Sequence, residues 1–240
     1  MKKSKIALFC ICFCSVLYAF SQEQPQNYAE IQQKLKKESV ETFRDRLVVD
    51  VFHSFWMNVP TGVTQKFNPG FNVTVLWDFK AKKNSPISFG LGIGCTYHTQ
   101  FSNAQLRFTH PSGPTKYHIL PGSVVDTMKL NRMTYINCNI PLEFRYRHKC
   151  GFKLTVGVRL GLVVEISQRY KGLSIDGTGI EENYKYFLKN DRQKVNFDAY
   201  IRCGWKFVGV YYSYQVNYLF NEGKGPAVNP MSLGISLSLF

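Results

Sequence analysis

The sequence predicts an all-β chain, an eight-stranded antiparallel up-and-down transmembrane β-barrel behind an N-terminal signal peptide. Three observations carry this. Residues 1–21 have the charge and apolar pattern of an export leader. Beyond them, eight segments alternate apolar with polar residues, and their apolar faces hold no Lys, Arg, Asp or Glu. The connections between those segments alternate long and short, with aromatic residues gathered near both ends.

The leader comes first. Lys2, Lys3 and Lys5 form a basic start, an apolar run follows from Ile6 to Phe20, and Ala19 and Ser21 supply the small residues of a cleavage site. The expected cut is after Ser21, since the run is short for the ~30 Å of a hydrocarbon core. Cys10, Cys12 and Cys14 lie within the run, and the bulky residues before the later two argue against lipid attachment. Residues 22–46 do not alternate. Ile31 and Leu35, four apart in a polar stretch, suggest a short helix and a periplasmic lead-in to a barrel spanning 47–240.

The strands follow in order. The first places Leu47, Val49, Val51, Phe55 and Met57 on one face, interrupted by His53. The second places Phe71, Val73, Val75, Trp77 and Phe79 opposite Asn72, Thr74 and Asp78. The third alternates Ile87 through Tyr97 with Ser88, Gly90, Gly92, Gly94 and Thr96. The fourth runs from Thr134 to Tyr146, with Asn137, Asn139, Glu143, Arg145 and Arg147 on its polar side; Pro141 within it removes a ladder hydrogen bond and suggests a bulge. The fifth has Phe152 through Ile166 on one face, and Lys153, Thr155, Arg159, Glu165 and Ser167 on the other. The sixth, Val195 to Phe207, faces Asn196, Asp198 and Arg202 the other way. The seventh runs from Val210 to Phe220, and the eighth sets Met231, Leu233, Ile235, Leu237 and Leu239 against serines and Gly234. Phe240 is one residue out of phase with that last apolar set.

A soluble sandwich would show the same alternation with its apolar face inward, so periodicity alone does not choose. The connections do. Residues 58–69, 99–132, 168–194 and 221–230 are long; 81–86, 148–151 and the turn at Val208–Gly209 are short. That is the layout of a barrel with both termini in the periplasm. Trp77, Phe79, Phe144, Tyr146, Phe152, Trp205 and Phe207 cluster near the short-turn end. Phe55, Trp56, Phe71, Tyr97, Tyr135, Phe197, Tyr218 and Phe220 cluster near the other, giving two interfacial girdles. The expected location is therefore the outer membrane of a Gram-negative cell.

Three stretches carry a resemblance to a known family: Tyr135 to Arg147, Phe152 to Gly161, and Leu219 to Pro226 ahead of Pro230. The chain resembles the PorT-like outer-membrane β-barrel proteins of Bacteroidota. The likeness lies in aromatic, glycine and charge placement, not in an active-site motif. It implies the fold and the outer membrane; through one member it also implies a link to protein secretion of the type IX kind.

Composition bounds the partners. The chain carries 30 basic and 16 acidic side chains, a net charge of +14. Loss of the leader leaves 27 basic residues and a charge of +11. In an exported chain with no basic run interleaved with stacking aromatics, that charge points to lipid and lipopolysaccharide phosphates, not to nucleic acid. No cofactor or metal is indicated, because Cys95, Cys138, Cys150 and Cys203 are widely spaced and form no C-x-x-C pair. No catalytic residues are indicated either. His98, His110 and His118, with Ser102, Ser112, Ser123 and Asp126, show no spacing that ties them into a triad, and the expectation is that the chain is not an enzyme.

Three groups of candidate residues remain. Glu143, Arg145, Arg159, Glu165, Asp198 and Arg202 face the lumen, which in an eight-stranded barrel is just wide enough for side chains to fill. They suggest an ion-paired plug or, alternatively, a narrow polar path. Arg107, Lys116, Lys129, Arg132, Lys171 and Lys185 sit in or beside the two longest connections, as candidate contacts to lipid or to a larger membrane complex. Cys95 and Cys138 fall at similar heights on adjacent strands, either bonded or free. The function expected from all this is a structural or interaction role through the long loops. The alternatives are an accessory subunit of a secretion or transport complex, and a narrow channel.

Overall fold

Antiparallel strands with one apolar and one polar face pair edge to edge until no edge is left, and a membrane allows no other end to the sheet. The computed structural model describes residues 46–80, 85–108, 115–120, 122–174, 178–188 and 191–239. The expected leader, the helix expected over 28–37 and Phe240 lie outside them. In chain order the elements are β1 (Leu47–Met57), β2 (Pro69–Phe79), β3 (Ile87–Phe101), β4 (Ala104–Phe108), β5 (Thr115–Ile119), α1 (Gly122–Thr127), β6 (Leu130–Arg147), β7 (Phe152–Leu173), β8 (Glu181–Leu188), β9 (Val195–Trp205), β10 (Val208–Gln215) and β11 (Asn229–Leu239).

Eight of these form a closed antiparallel ring. The order β6-β3-β2-β1-β11-β10-β9-β7 is closed by direct pairing of β6 with β7. Leu47, where β1 begins, pairs with Leu239, where β11 ends, so the chain enters and leaves the ring at the end that carries the short turns. Strand β8 continues the sheet past the ring by pairing with the far half of β7, and β4 and β5 form a separate hairpin.

The two faces then sort by chemistry. On β7, Val156, Val158, Leu160, Leu162 and Val164 are 44–60% exposed, while Gly157, Arg159 and Gly161 between them are buried. Such an outer surface is costly in water and favourable in hydrocarbon. From Leu154 to Val164 the strand rises roughly 33 Å, which at a tilt of ~45° is roughly 23 Å of height, close to the ~25 Å apolar band of an outer-membrane-type barrel. The chain is a transmembrane β-barrel.

Four features differ from the sequence reading. Pro141 causes no bulge. The β3–β6 register is the same on either side of it, and only the pairings at Gly92–Ile93 lapse. The bulge lies instead where Asn137 pairs with Val163 but Ile136 pairs with Glu165, leaving Val164 as the extra residue on β7. One added residue flips every side chain above it, so Ile166, Gln168 and Tyr170 point inward. The seventh strand ends at Gln215, because the Asn217 side chain takes over the ladder. Its Oδ1 accepts from the Phe197 N–H at 2.7 Å and its Nδ2 donates to the Val195 carbonyl at 2.8 Å. The outer girdle is also thinner than expected, since Trp56, Tyr135 and Phe220 are buried inside the barrel.

The band sets a depth scale for substitutions. Leu160→Arg, near mid-height on the lipid face, lowers the stability of the bilayer-inserted barrel by about 2–4 kcal/mol, and Thr134→Arg, near the rim, by only about 0–1 kcal/mol. Denaturant titration of protein refolded into vesicles measures both, and equal costs would contradict this placement of the membrane.

Candidate functional site

The lumen is built from side chains at alternate positions of the ring. Near the short-turn end, Arg202 of β9 reaches across it. Its Nε and Nη2 donate to the Asp50 carboxylate at 2.9 and 2.7 Å, a two-pronged pair, and its Nη1 donates to Glu143 at 2.6 Å. The Tyr200 hydroxyl donates to the same Glu143 oxygen at 2.6 Å. The other Glu143 oxygen takes the Arg145 Nε at 2.5 Å, and Arg145 Nη1 passes on to Asp78 at 2.6 Å. Arg147 ends the chain on Asp78 at 2.7 Å and on the Ser88 hydroxyl at 3.0 Å. Asp50 is also held by Asn72, which is joined to Thr74, Thr96 and, through Thr96, Asn139.

Glycines make room for this. A Cβ on Gly90 would lie 3.1 Å from the Arg145 Nε, and one on Gly157 would lie 2.6 Å from the Tyr200 ring. Small residues on β3 and β7 therefore face long charged ones on β6 and β9.

Higher up, Arg159 is almost wholly buried, 3.7 Å from Asp198 and hydrogen-bonded to the Tyr211 hydroxyl. Its guanidinium lies 4.6 Å over the Tyr200 ring, and Arg202 lies 4.7 Å over the same ring from the other group. Four guanidiniums (Arg145, Arg147, Arg159, Arg202) thus meet four carboxylates (Asp50, Asp78, Glu143, Asp198). These eight charges balance, which helps to make so many buried ions tolerable, while Lys153 and Lys206 add positive charge at the short-turn end.

Above the ions the lumen holds aromatic and amide side chains and then an apolar cluster, with Asn68 donating to Gln100 at 2.9 Å and Gln100 to Gln65 at 2.8 Å. The His98 ring stacks on Tyr135 at 4.1 Å, and its Nδ1 is 3.3 Å from the Ser54 hydroxyl. Trp56, Met133, Ile166, Leu188, Leu219, Phe220 and Val228 then pack together as a plug. At the short-turn end a cavity of about 30 Å³ lies among Glu143, Arg145, Lys153, Arg202 and Lys206, enough for about one water.

The far end is a structured cap. Leu120, Val124 of α1 and Tyr170 of β7 form a small core of their own, with Tyr184 of β8 against it. Gln105 donates to the Tyr184 hydroxyl, and Asn131 donates to the carbonyls of Ser102 and Ala104.

Of the residues expected in the lumen network, Glu143, Arg145, Arg159, Asp198 and Arg202 are there. Glu165 is not. The Val164 bulge turns it to the outer face, where its Oε1 lies 3.5 Å from Lys185 Nζ. Asp50, Asp78, Arg147 and Tyr211 belong to the network and were missed as members, although Asp50 and Asp78 stand on the polar side of their strands. Cys95 is paired in register with Cys138, and both are free. Lys129 pairs with Glu181 at 2.8 Å and holds that carboxyl below its ordinary range. Arg132 and Lys171 are on the outer face, and Arg107 and Lys116 are register partners in the β4–β5 hairpin. Of the residues weighed for a triad, the His98 ring is inside the barrel between Phe52 and Tyr135, and His110 and Ser112 lie outside the described residues. Among the described residues no cluster of three metal-ligating side chains occurs.

No protein-family model and no curated protein matches the chain. Among solved structures it is similar to Neisserial surface protein A, at 12% identity and a TM-score of 0.41 over 80% of this chain and 96% of that one. It is similar also to Ail, the attachment invasion locus protein of Yersinia pestis, at 11% identity and a TM-score of 0.37 over 80% and 95%. A third is the outer-membrane protease OmpT of Escherichia coli, at 12% identity and a TM-score of 0.35 over 74% and 65%.

Removing the central cation tests the network. Arg202→Met leaves buried Asp50 without its cation and Glu143 with one fewer, and the expected loss of stability is about 3–5 kcal/mol. Lys185→Met on the exposed outer pair is expected to cost less than about 1 kcal/mol. Unfolding midpoints in detergent, read by heat-modified mobility, separate the two. For the cysteines, alkylation in denaturant without reductant is expected to label both Cys95 and Cys138, and their recovery as one linked peptide would contradict the free thiols.

Proposed function

We propose that the chain is an outer-membrane β-barrel, closed to solutes, that acts through its long-connection end as a structural or interaction component. The short turns and the N-terminal lead-in are assigned to the periplasm, and the cap of β4, β5, α1 and β8 to the cell exterior. One observation carries the closed lumen: a charge-neutral ion network is followed, going outward, by an apolar plug. A diffusion path needs open space lined by polar groups, and the cluster of Trp56, Ile166, Leu219 and Phe220, with hydrogen-bonded Gln65, Asn68 and Gln100 beside it, fills the lumen at that level. A non-enzymatic role is part of this reading, supported by the burial inside the barrel of Ser54 and His98, which lie 3.3 Å apart.

A second reading, an accessory subunit of a secretion or transport complex, is favoured by the cap. Loops that only bridge strands have no need of a core, a helix and an added strand, whereas a docking surface needs a fixed shape.

Planar-bilayer recording tests the closed lumen. The expected trace shows no unitary current steps, and reproducible steps abolished by filling the plug with larger side chains would establish a channel instead. Gentle extraction with crosslinking and mass spectrometry separates the two closed-barrel readings. A stoichiometric partner crosslinked at 99–132 or 168–194 makes the chain a complex subunit, and its absence leaves a lone barrel.

A further inference from the structure

The outer face of the sheet just above the apolar band carries an arrangement that the lumen network does not explain. Arg132 of β6, Arg169 of β7 and Lys185 of β8 are direct register partners, so three cations stand side by side on one rung across three strands. Adjacent strands are ~4.8 Å apart, so the row spans about 10 Å. Like charges directly opposed across strands repel. Lys171 stands two residues along from Arg169 on the same face, opposite Leu130 and Asn183.

The acids nearby do not balance the row. Glu165 reaches Lys185 at 3.5 Å, and Glu181 is engaged by Lys129 at 2.8 Å. Among the described residues, neither Arg132 nor Arg169 has a carboxylate within ion-pair range, and the Arg132 Nε is buried with no hydrogen-bond partner in the protein.

The row also sits at a particular height. On the same face of β7, exposed Leu160, Leu162 and Val164 lie below with Glu165 between, and on β6 Thr134, Ile136 and Cys138 lead down to exposed Ile140 and Leu142. The hydrocarbon region ends near Val164, and Arg169 follows one to two turns of the pleat higher, where headgroup phosphates lie. A cationic rung continuous with a lipid-covered face, and short of anions, fits a phosphate that arrives on a lipid.

We propose that Arg132, Arg169 and Lys185, with Lys171, form a binding site for the phosphate of a phosphorylated outer-leaflet glycolipid. This rests on the cell-exterior assignment of the capped end. The two arginines offer planar forks to the phosphate oxygens, while Lys185, backed by the Phe187 ring at 4.6 Å, closes the far side.

The test is native mass spectrometry of the purified, detergent-folded chain titrated with bisphosphorylated lipid A, with dephosphorylated lipid A in parallel. The expected result is retention of phosphorylated lipid by the wild type, at least tenfold weaker retention of the dephosphorylated form, and loss of that preference in Arg132→Ser/Arg169→Ser. The double variant Lys153→Ser/Lys206→Ser, which removes two cations from the other end of the barrel, is expected to keep the preference. Equal binding of both lipids, or an unchanged preference in Arg132→Ser/Arg169→Ser, overturns the site. Displacement of the lipid by millimolar inorganic phosphate overturns the lipid source and leaves a free-anion site. Heat-modified mobility confirms folding of each variant, and Arg169→Ser alone, at an exposed position, serves if the double variant does not fold. Failure of the closed-lumen reading would appear in the bilayer recordings, independently of this measurement.

Discussion

The Arg202 guanidinium ties the barrel together across its lumen. It leaves β9, crosses the lumen, and holds Asp50 of β1 and Glu143 of β6 at once. In hydrocarbon the backbone must close into a ring, which leaves a column of inward side chains with no bulk water to solvate their charges. Ions there survive only when paired and hydrogen-bonded on nearly every lone pair. The four-to-four balance of guanidiniums and carboxylates follows from that demand, and so do the glycines of β3 and β7 that give long side chains room to cross. Because the network links strands far apart in sequence, it also makes the ring's closure cooperative with its filling.

The lower half of the barrel was legible in the sequence because a single rule governs it. Strict alternation places Asp50, Asp78, Glu143, Arg145, Arg159, Asp198 and Arg202 on the polar side of their strands, and the structure keeps that parity. What parity could not supply was partnership. Which carboxylate meets which arginine depends on side-chain reach across a lumen, and Asp50, alone among the valines of β1, gave little reason to be singled out.

The upper half defeated the same rule for local reasons. Val164 adds one residue to β7, and above it the inward set becomes Ile166, Gln168 and Tyr170, so Glu165 leaves the lumen. A bulge of this kind has no composition signal; Pro141, which has one, merely thins the ladder. Trp56 and Tyr135 were readable and misjudged. Both stand on the polar parity of their strands, beside Ser54 and Asn137, yet their aromatic character suggested a girdle. Asn217 is different again, because an amide side chain standing in for backbone ends β10 without any break in the apolar pattern.

On the proposed closed-lumen reading, the chain's chemistry moves to its exterior, where the cationic rung and the structured cap both lie. The account stands or falls on whether the interior ions are sealed. Solution NMR of ¹⁵N-arginine-labelled barrel in lipid nanodiscs reads this directly through exchange of the guanidinium Nε–H protons. The account predicts that Arg145, Arg159 and Arg202 show resolved signals protected from solvent exchange, while the exposed Arg169 exchanges freely. Rapid exchange at Arg202 and Arg159 would mean that water moves through the network, and would contradict a sealed lumen.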